Sequence, residues 1–236
     1  MSAAHLGALE PTSHKTAFYG IVSTLANQWV RRCFHLHVIG DDHIPPQGGV
    51  IVAANHASYL DIPLLGGILK RQADYLAKRE LFSWPIVGRC LRALGGIPVR
   101  RGVMDRQALR ETVQRLKQGR LLVIYPEGTR SPNGRLGEAK PGLGLLVVET
   151  EAVVIPTYLH GTDHVRWGRE ITVVFGPPLD FRNDIASDGD RQVHPKKLYA
   201  RIAASVMAQI AQLQQKVIGQ AASLIPNVHE GTQGRG

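Results

Sequence analysis

The chain has 236 residues, 44% hydrophobic and 20% charged, with 25 Gly and 14 Pro; this excludes a disordered tail protein, a collagenous chain and a coiled coil. Two cysteines are too few for a disulfide framework and point to a reducing compartment. The formal net charge is +9, and Lys70 to Lys140 alone holds 16 basic and 6 acidic residues, which predicts an anionic partner such as nucleic acid, a phosphorylated metabolite or lipid headgroups.

Residues 1–17 have no long apolar core, so no secretory signal is expected. No stretch reaches the ~20 apolar residues that span a bilayer. Phe18 to Phe34 reads as a helix, with Phe18, Ile21, Val22, Leu25 and Trp29 on one face and Arg31, Arg32 and His35 following. Such a stripe either packs on a core or lies in a membrane interface, and the residues alone leave both open. Val38 to Asp42 reads as a short strand and turn, and Pro45 to Gly49 as a loop. Val50 to Ala54 is a continuous apolar run and predicts a buried strand. Asp61 is the expected N-cap of a helix to about Lys70, with Pro63 in its first turn. A strand at Tyr75–Ala77 precedes a helix that opens at Ser83-Trp84-Pro85 and stops at Gly95-Gly96. Ile97–Val99 is extended, Asp105 to Gln118 helical, and Leu121 to Tyr125 another buried strand. Gly142 to Glu149 is a helix, Val153–Ile155 and Ile171–Phe175 are strands, and Pro195 to Gln220 is a long helix. The tail from Asn227 is Gly-rich and polar and is expected to fray. Strands alternating with helices predict an α/β domain with a largely parallel sheet.

In such sheets ligands bind beyond the carboxyl ends of the strands. After the strand at 50–54 comes Asn55-His56-Ala57-Ser58-Tyr59-Leu60-Asp61. A carboxylate at a helix start five residues on can fold back to one imidazole nitrogen and raise the basicity of the other, giving a general base for a hydroxyl that the substrate supplies. The bland alternative is a helix cap beside a loop histidine. Ser58 reads as a loop or cap residue. After the strand at 121–125 comes Pro126-Glu127-Gly128-Thr129-Arg130-Ser131, in which glycine allows close backbone approach and Arg130 offers a planar fork for phosphate. Lys78-Arg79 and Arg100-Arg101 leave two further strands. The histidines do not cluster with cysteine at zinc spacing, and there is no Gly-rich phosphate loop.

Taken in order, these blocks resemble the glycerolipid acyltransferases with the His-x4-Asp motif, most closely the bacterial 1-acyl-glycerol-3-phosphate type. The blocks are Asn55 to Asp61, Lys78 through Gly95-Gly96-Ile97-Pro98-Val99-Arg100, Glu127 to Ser131, and Val153-Val154-Ile155-Pro156. The resemblance spans about residues 36 to 180. It implies a single α/β acyltransferase domain with a mainly parallel mixed sheet over 36–220, a membrane-associating amphipathic helix over 1–35, and a flexible tail over 221–236. It implies transfer of a fatty acyl group from acyl-CoA or acyl-carrier protein to the sn-2 hydroxyl of lysophosphatidic acid, giving phosphatidic acid. His56 and Asp61 would be catalytic. Lys78, Arg100, Glu127, Gly128, Thr129 and Arg130 would hold the glycerol phosphate, and Ile155 and Pro156 would line the acyl pocket. No metal and no cofactor beyond the acyl donor is implied. The partners implied are lysophosphatidic acid, the acidic donor and an anionic membrane surface at the cytoplasmic face of the cell membrane, with the chain peripheral or monotopic and without nucleic acid. The alternatives are another lysolipid or glycerol 3-phosphate as acceptor, or a non-enzymatic protein that binds anionic membranes or nucleic acid.

Overall fold

The computed structural model describes residues 15–100, 102, 105–131, 135–163, 166–187 and 195–223. Most of the tail expected at 221–236, and residues 1–14 of the expected N-terminal segment, lie outside them. Chain order is α1 (Ala17–Cys33), β1 (His35–Ile39), β2 (Val50–Ala54), α2 (Asp61–Ile68), β3 (Ala73–Lys78), α3 (Pro85–Ala93), β4 (Gly96–Val99), α4 (Arg106–Lys117), β5 (Leu121–Ile124), α5 (Gly142–Thr150), β6 (Val153–His160), β7 (Glu170–Phe175), α6 (Arg182–Ser187) and α7 (Pro195–Ser223). A 3₁₀ turn at Arg79–Ser83 links β3 to α3.

Among the described residues, seven strands form one sheet in the order β1-β7-β6-β2-β5-β3-β4. Only the β6–β7 pair is antiparallel. The apolar strand β2 lies in the middle and is buried throughout. Its pleat sends Val50, Val52 and Ala54 to one face and Ile51 and Ala53 to the other. Leu64, Leu65 and Leu69 of α2 and its C-cap, with Val30 and Cys33 of α1, cover the first face. The second face is covered by α4, α5 and the inward stripe Leu198, Ile202, Val206, Ile210 and Leu213 of α7. Helices on both faces are what a parallel sheet requires.

Two helices sit as they do for identifiable reasons. The carboxylate of Asp105 accepts the N–H groups of Gln107 and Ala108 at the start of α4. The first two helices cross at Gly67, where an added Cβ would come within 2.9 Å of the Asn27 backbone nitrogen. The orientation of α1 is the surprise. Its buried residues are Tyr19, Ser23, Val30 and Cys33, while Phe18, Ile21, Leu25 and Trp29 are 45%, 62%, 60% and 50% exposed. These four residues of the apolar stripe therefore face away from the core, with Val22 half-buried, and packing on the domain does not account for them. Among the described residues no helix is long and apolar enough to cross a membrane.

At the amino edge of the sheet, part of the basic excess is spent on structure. Asp74, 1% exposed, accepts hydrogen bonds from Arg115 and Arg120. Arg71 donates to the carbonyls of Pro45, Gly48 and Gly119. Arg115 also pairs with Glu111, so it is not part of a free basic face on α4.

Candidate active site

The chain leaves the sheet at Asn55. Its side-chain amide donates to the Leu159 carbonyl (3.0 Å) and accepts the Leu159 N–H (2.7 Å), so it extends the β2–β6 ladder by one step after the β2 backbone has turned away. That leaves His56 at the strand tip. Asp61 is the first residue of α2, yet it does not cap the helix as expected, and no side chain caps that first turn. Its Oδ2 turns back and accepts from His56 Nδ1 (2.8 Å) and from the N–H groups of Ala57 and Ser58 (2.9 Å each). Asp61 is fully buried, and the two backbone donors fix its carboxylate before the imidazole meets it. A carboxylate only accepts, so Nδ1 carries the proton and Nε2 keeps its lone pair. Ser58 Oγ accepts the Leu60 N–H (2.9 Å), the loop role read from the sequence. The imidazole lies flat on the Tyr125 ring, with centroids 3.9 Å apart and planes 15° apart. Burial and the nearby Asp61 carboxylate push the Tyr125 phenol well above its usual range, so it stays protonated.

The segment after β5 is tied to this histidine, because the Ser131 N–H donates to the His56 carbonyl (2.7 Å). Gly128 has φ +68°, a left-handed conformation that favours glycine, while an added Cβ would meet only the flexible end of the Lys140 side chain. Arg130 lies over the Tyr59 ring (3.8 Å from Cζ to centroid) and donates from Nη2 to the Tyr59 hydroxyl (3.1 Å). Thr129 is exposed. Glu127 is buried and accepts the Gly137 N–H (2.9 Å). That contact uses Oε2 alone, and Oε1 is buried with no partner among the described residues.

A cavity of about 490 Å³ opens beside His56, within the range of small-ligand sites. It lies between α1 and α2 on one side and β3, the 3₁₀ turn and α3 on the other. Val22, Ala26, Leu76, Leu91 and Leu94 make it apolar, and Lys78 and Arg130 are the cations that line it. Tyr59, Ile62 and Leu81 line it and are also exposed, which marks its mouth. Gly66 opens space within it: an added Cβ there would lie 3.3 Å from the Tyr75 hydroxyl and 3.7 Å from that of Tyr19.

Strand order explains which expected residues meet. Because β5 and β3 follow β2 in the sheet, His56, the 127–131 segment and Lys78 share one stretch of carboxyl edge. Arg100 does not join the cavity lining. It leaves the edge strand β4, three strand spacings or about 14 Å from β2, and its Nε faces Asp105 at 3.5 Å. Ile155 and Pro156, expected near the acyl pocket, stand apart from this cavity. Both are buried within β6, which has a strand on each side, and neither lines the cavity. The sequence assigns no individual role to Tyr125, Tyr59 or Gly66. An aromatic ending a buried strand reads as core, and a glycine pair in a helix carries no signal of which space it opens. Among the described residues no three His, Cys, Asp or Glu side chains gather as metal ligands.

A buried His–Asp pair at a central strand tip, opening on an apolar cavity, can act as a general base toward a hydroxyl held there. The chain belongs to the acyltransferase family, whose model matches residues 35–160. It is 31% identical over 137 residues to the chloroplastic 1-acyl-sn-glycerol-3-phosphate acyltransferase LPAT1 of Arabidopsis thaliana, covering 56% of this chain and 38% of that one. It is 33% identical over 111 residues to the lyso-ornithine lipid O-acyltransferase of Pseudomonas aeruginosa, covering 44% of this chain and 41% of that one. The chain thus spans less than half the length of these curated relatives. Its fold matches the crystal structure of the 1-acyl-sn-glycerophosphate acyltransferase PlsC from Thermotoga maritima with a TM-score of 0.62 and 27% identity, covering 83% of this chain and 79% of that one.

Proposed function

We propose that this chain transfers a fatty acyl group from acyl-CoA or acyl-carrier protein to the sn-2 hydroxyl of 1-acyl-glycerol 3-phosphate, giving phosphatidic acid. The observation that carries the reading is the His56–Asp61 pair opening on an apolar cavity lined by Lys78 and Arg130. Nε2 of His56 takes the hydroxyl proton as the oxygen attacks the thioester carbonyl. The tetrahedral adduct collapses, the C–S bond breaks, and the imidazolium returns the proton to the departing thiolate. Asp61 holds the tautomer and stabilises the imidazolium. No acyl-enzyme forms, and the thioester supplies the driving force, so the reaction needs no cofactor beyond its donor. Lys78 and Arg130 receive the phosphate, and the cavity receives an alkyl chain.

The work site in this reading is the cytoplasmic face of an anionic cell membrane, with the chain peripheral. The outward stripe of α1, followed by Arg31 and Arg32 in its last turn, supports it, as do the free cysteines Cys33 and Cys90. A second acceptor is favoured by the likeness to the Pseudomonas enzyme: a lyso-ornithine lipid, which keeps the free hydroxyl.

The test is transfer of a radiolabelled acyl group to lysophosphatidic acid, lyso-ornithine lipid and glycerol 3-phosphate in parallel. Lysophosphatidic acid is expected to be the best acceptor, and His56→Ala to lose roughly a hundred- to ten-thousand-fold in turnover. Full activity in His56→Ala would remove the mechanism; preference for lyso-ornithine lipid would replace the acceptor.

A further inference from the structure

Opposite α1, across the cavity mouth, the chain exposes a second apolar surface that the acyl-transfer chemistry does not use. In the 3₁₀ turn and the start of α3, Leu81, Trp84, Ile86 and Val87 are 39%, 63%, 77% and 36% exposed. The helix is held to the domain by a narrow inner line. Gly88 is buried so close to Phe82 that an added Cβ would lie 2.5 Å from the Phe82 carbonyl oxygen, and Leu91 turns to the cavity. The outer half divides by helical spacing. Ile86, Cys90 and Ala93 follow one flank, while Arg89 and Arg92, three residues apart, follow another. Arg92 is steadied over the Phe82 ring at 5.3 Å. An apolar flank beside a cationic flank is the pattern of a helix lying in a headgroup layer, with its hydrocarbon side down and its guanidinium groups at the phosphates.

A further observation points to the same occupant. The chain has three tryptophans, and Trp29, Trp84 and Trp167 are 50%, 63% and 80% exposed. Trp167 stands beside the end of α1, where the Gly168 N–H donates to the Cys33 carbonyl (2.7 Å). Indole rings with an apolar body and one N–H donor are favoured where hydrocarbon meets water. The cavity mouth, marked by Tyr59, Ile62 and Leu81, lies between the two surfaces.

We propose that Arg79–Ala93 is a second membrane-inserting lip, independent of α1, and that an anionic lipid bilayer covers both lips so that the cavity opens sideways into the lipid. This rests on the reading that the chain works at a membrane. It also changes what anchors the protein, because neither lip is then the sole attachment.

The test uses vesicles of phosphatidylglycerol and phosphatidylcholine, and phosphatidylcholine vesicles alone. In a Trp29→Phe/Trp167→Phe background, only Trp84 remains to fluoresce as indole. Its emission is expected to shift to the blue on anionic vesicles and to be quenched by acyl chains brominated near the headgroup. Ile86→Ser/Val87→Ser and Ile21→Ser/Leu25→Ser are each expected to weaken vesicle binding about tenfold or more, since each removes two apolar insertions and tenfold is 1.4 kcal/mol. Both should keep full transfer activity toward lysolipid dispersed in detergent micelles. Unquenched Trp84, or wild-type vesicle binding by Ile86→Ser/Val87→Ser, would overturn the second lip. Equal loss in micelles would do so too, by making the patch structural. Quenching needs no turnover and can be read in His56→Ala. A chain that inserts Trp84 but transfers no acyl group would therefore sink the acyl-transfer reading and leave the lip standing.

Discussion

Three side chains make the histidine a usable base, and they differ in how well the sequence announces them. Asp61 is announced by spacing alone, since a helix start five residues on returns the carboxylate to Nδ1. Asn55 becomes intelligible only with the sheet, because its amide replaces a backbone step that β6 would otherwise lack. The Tyr125 ring, parallel to the imidazole, restricts rotation about the side-chain bonds of His56 and covers one of its faces. Nε2 is thereby aimed along one plane, and positioning of this kind acts on turnover more than on binding. Tyr125→Phe is expected to keep most of the activity, because the phenol has no protein partner among the described residues. Tyr125→Leu should lower kcat by about tenfold while KM stays close to wild type, a split read from initial rates across acceptor concentration. Equal kcat values for the Leu and Phe variants would show that the stack does nothing for the base. The charged residues teach the opposite lesson. Glu127 and Arg100 stand where ligands stand in sequence, but Glu127 contacts the Gly137 N–H and Arg100 faces Asp105. Each keeps capacity for a ligand, since Glu127 Oε1 has no partner among the described residues and the Arg100 side chain is mostly exposed.

At the level of elements, the strands and most helices were legible, because a buried parallel sheet writes itself as continuous apolar runs. The cavity was not, since its walls come from α1, α2, β3 and α3, and no local pattern joins them. The direction of the α1 stripe was hidden for a different reason. An apolar face at helical spacing looks the same whether protein or lipid will cover it. The second helix concentrates the point in two adjacent glycines. Gly66 faces the cavity, whereas Gly67 admits the backbone of α1. Gly66→Leu should fill the cavity and shift transfer toward shorter acyl chains, with a small change in melting temperature. Gly67→Ala should cost roughly 1–3 kcal/mol through overpacking, read by denaturant unfolding, with chain preference unchanged. Identical chain preference in Gly66→Leu would place the alkyl chain elsewhere.

Across the whole molecule, the basic excess between Lys70 and Lys140 divides by location. Arg71, Arg115 and Arg120 hold the amino edge of the sheet together. Lys78 and Arg130 face the cavity, and Arg89 and Arg92 face outward on α3. Net charge points to an anion but cannot separate cations that fold the chain from those that would meet a ligand. Formal charge also says nothing about the apolar surface beside it, and in the proposed membrane-bound state that surface would turn an electrostatic attraction, screened within about 10 Å at moderate salt, into insertion.

A cavity that opens sideways into lipid, as proposed, carries one consequence for the rate. An enzyme fed through such an opening draws on the plane of the bilayer, and the quantity it senses is the mole fraction of lysolipid in that plane. Diluting a fixed amount of lysophosphatidic acid into increasing amounts of inert phospholipid should therefore slow transfer even though its bulk concentration is constant. Changing the total volume at fixed vesicle composition, with enzyme fully bound and donor saturating, should leave the rate per enzyme unchanged. A rate that follows bulk concentration instead would mean that the acceptor arrives through water, and the reaction would belong to three dimensions rather than two.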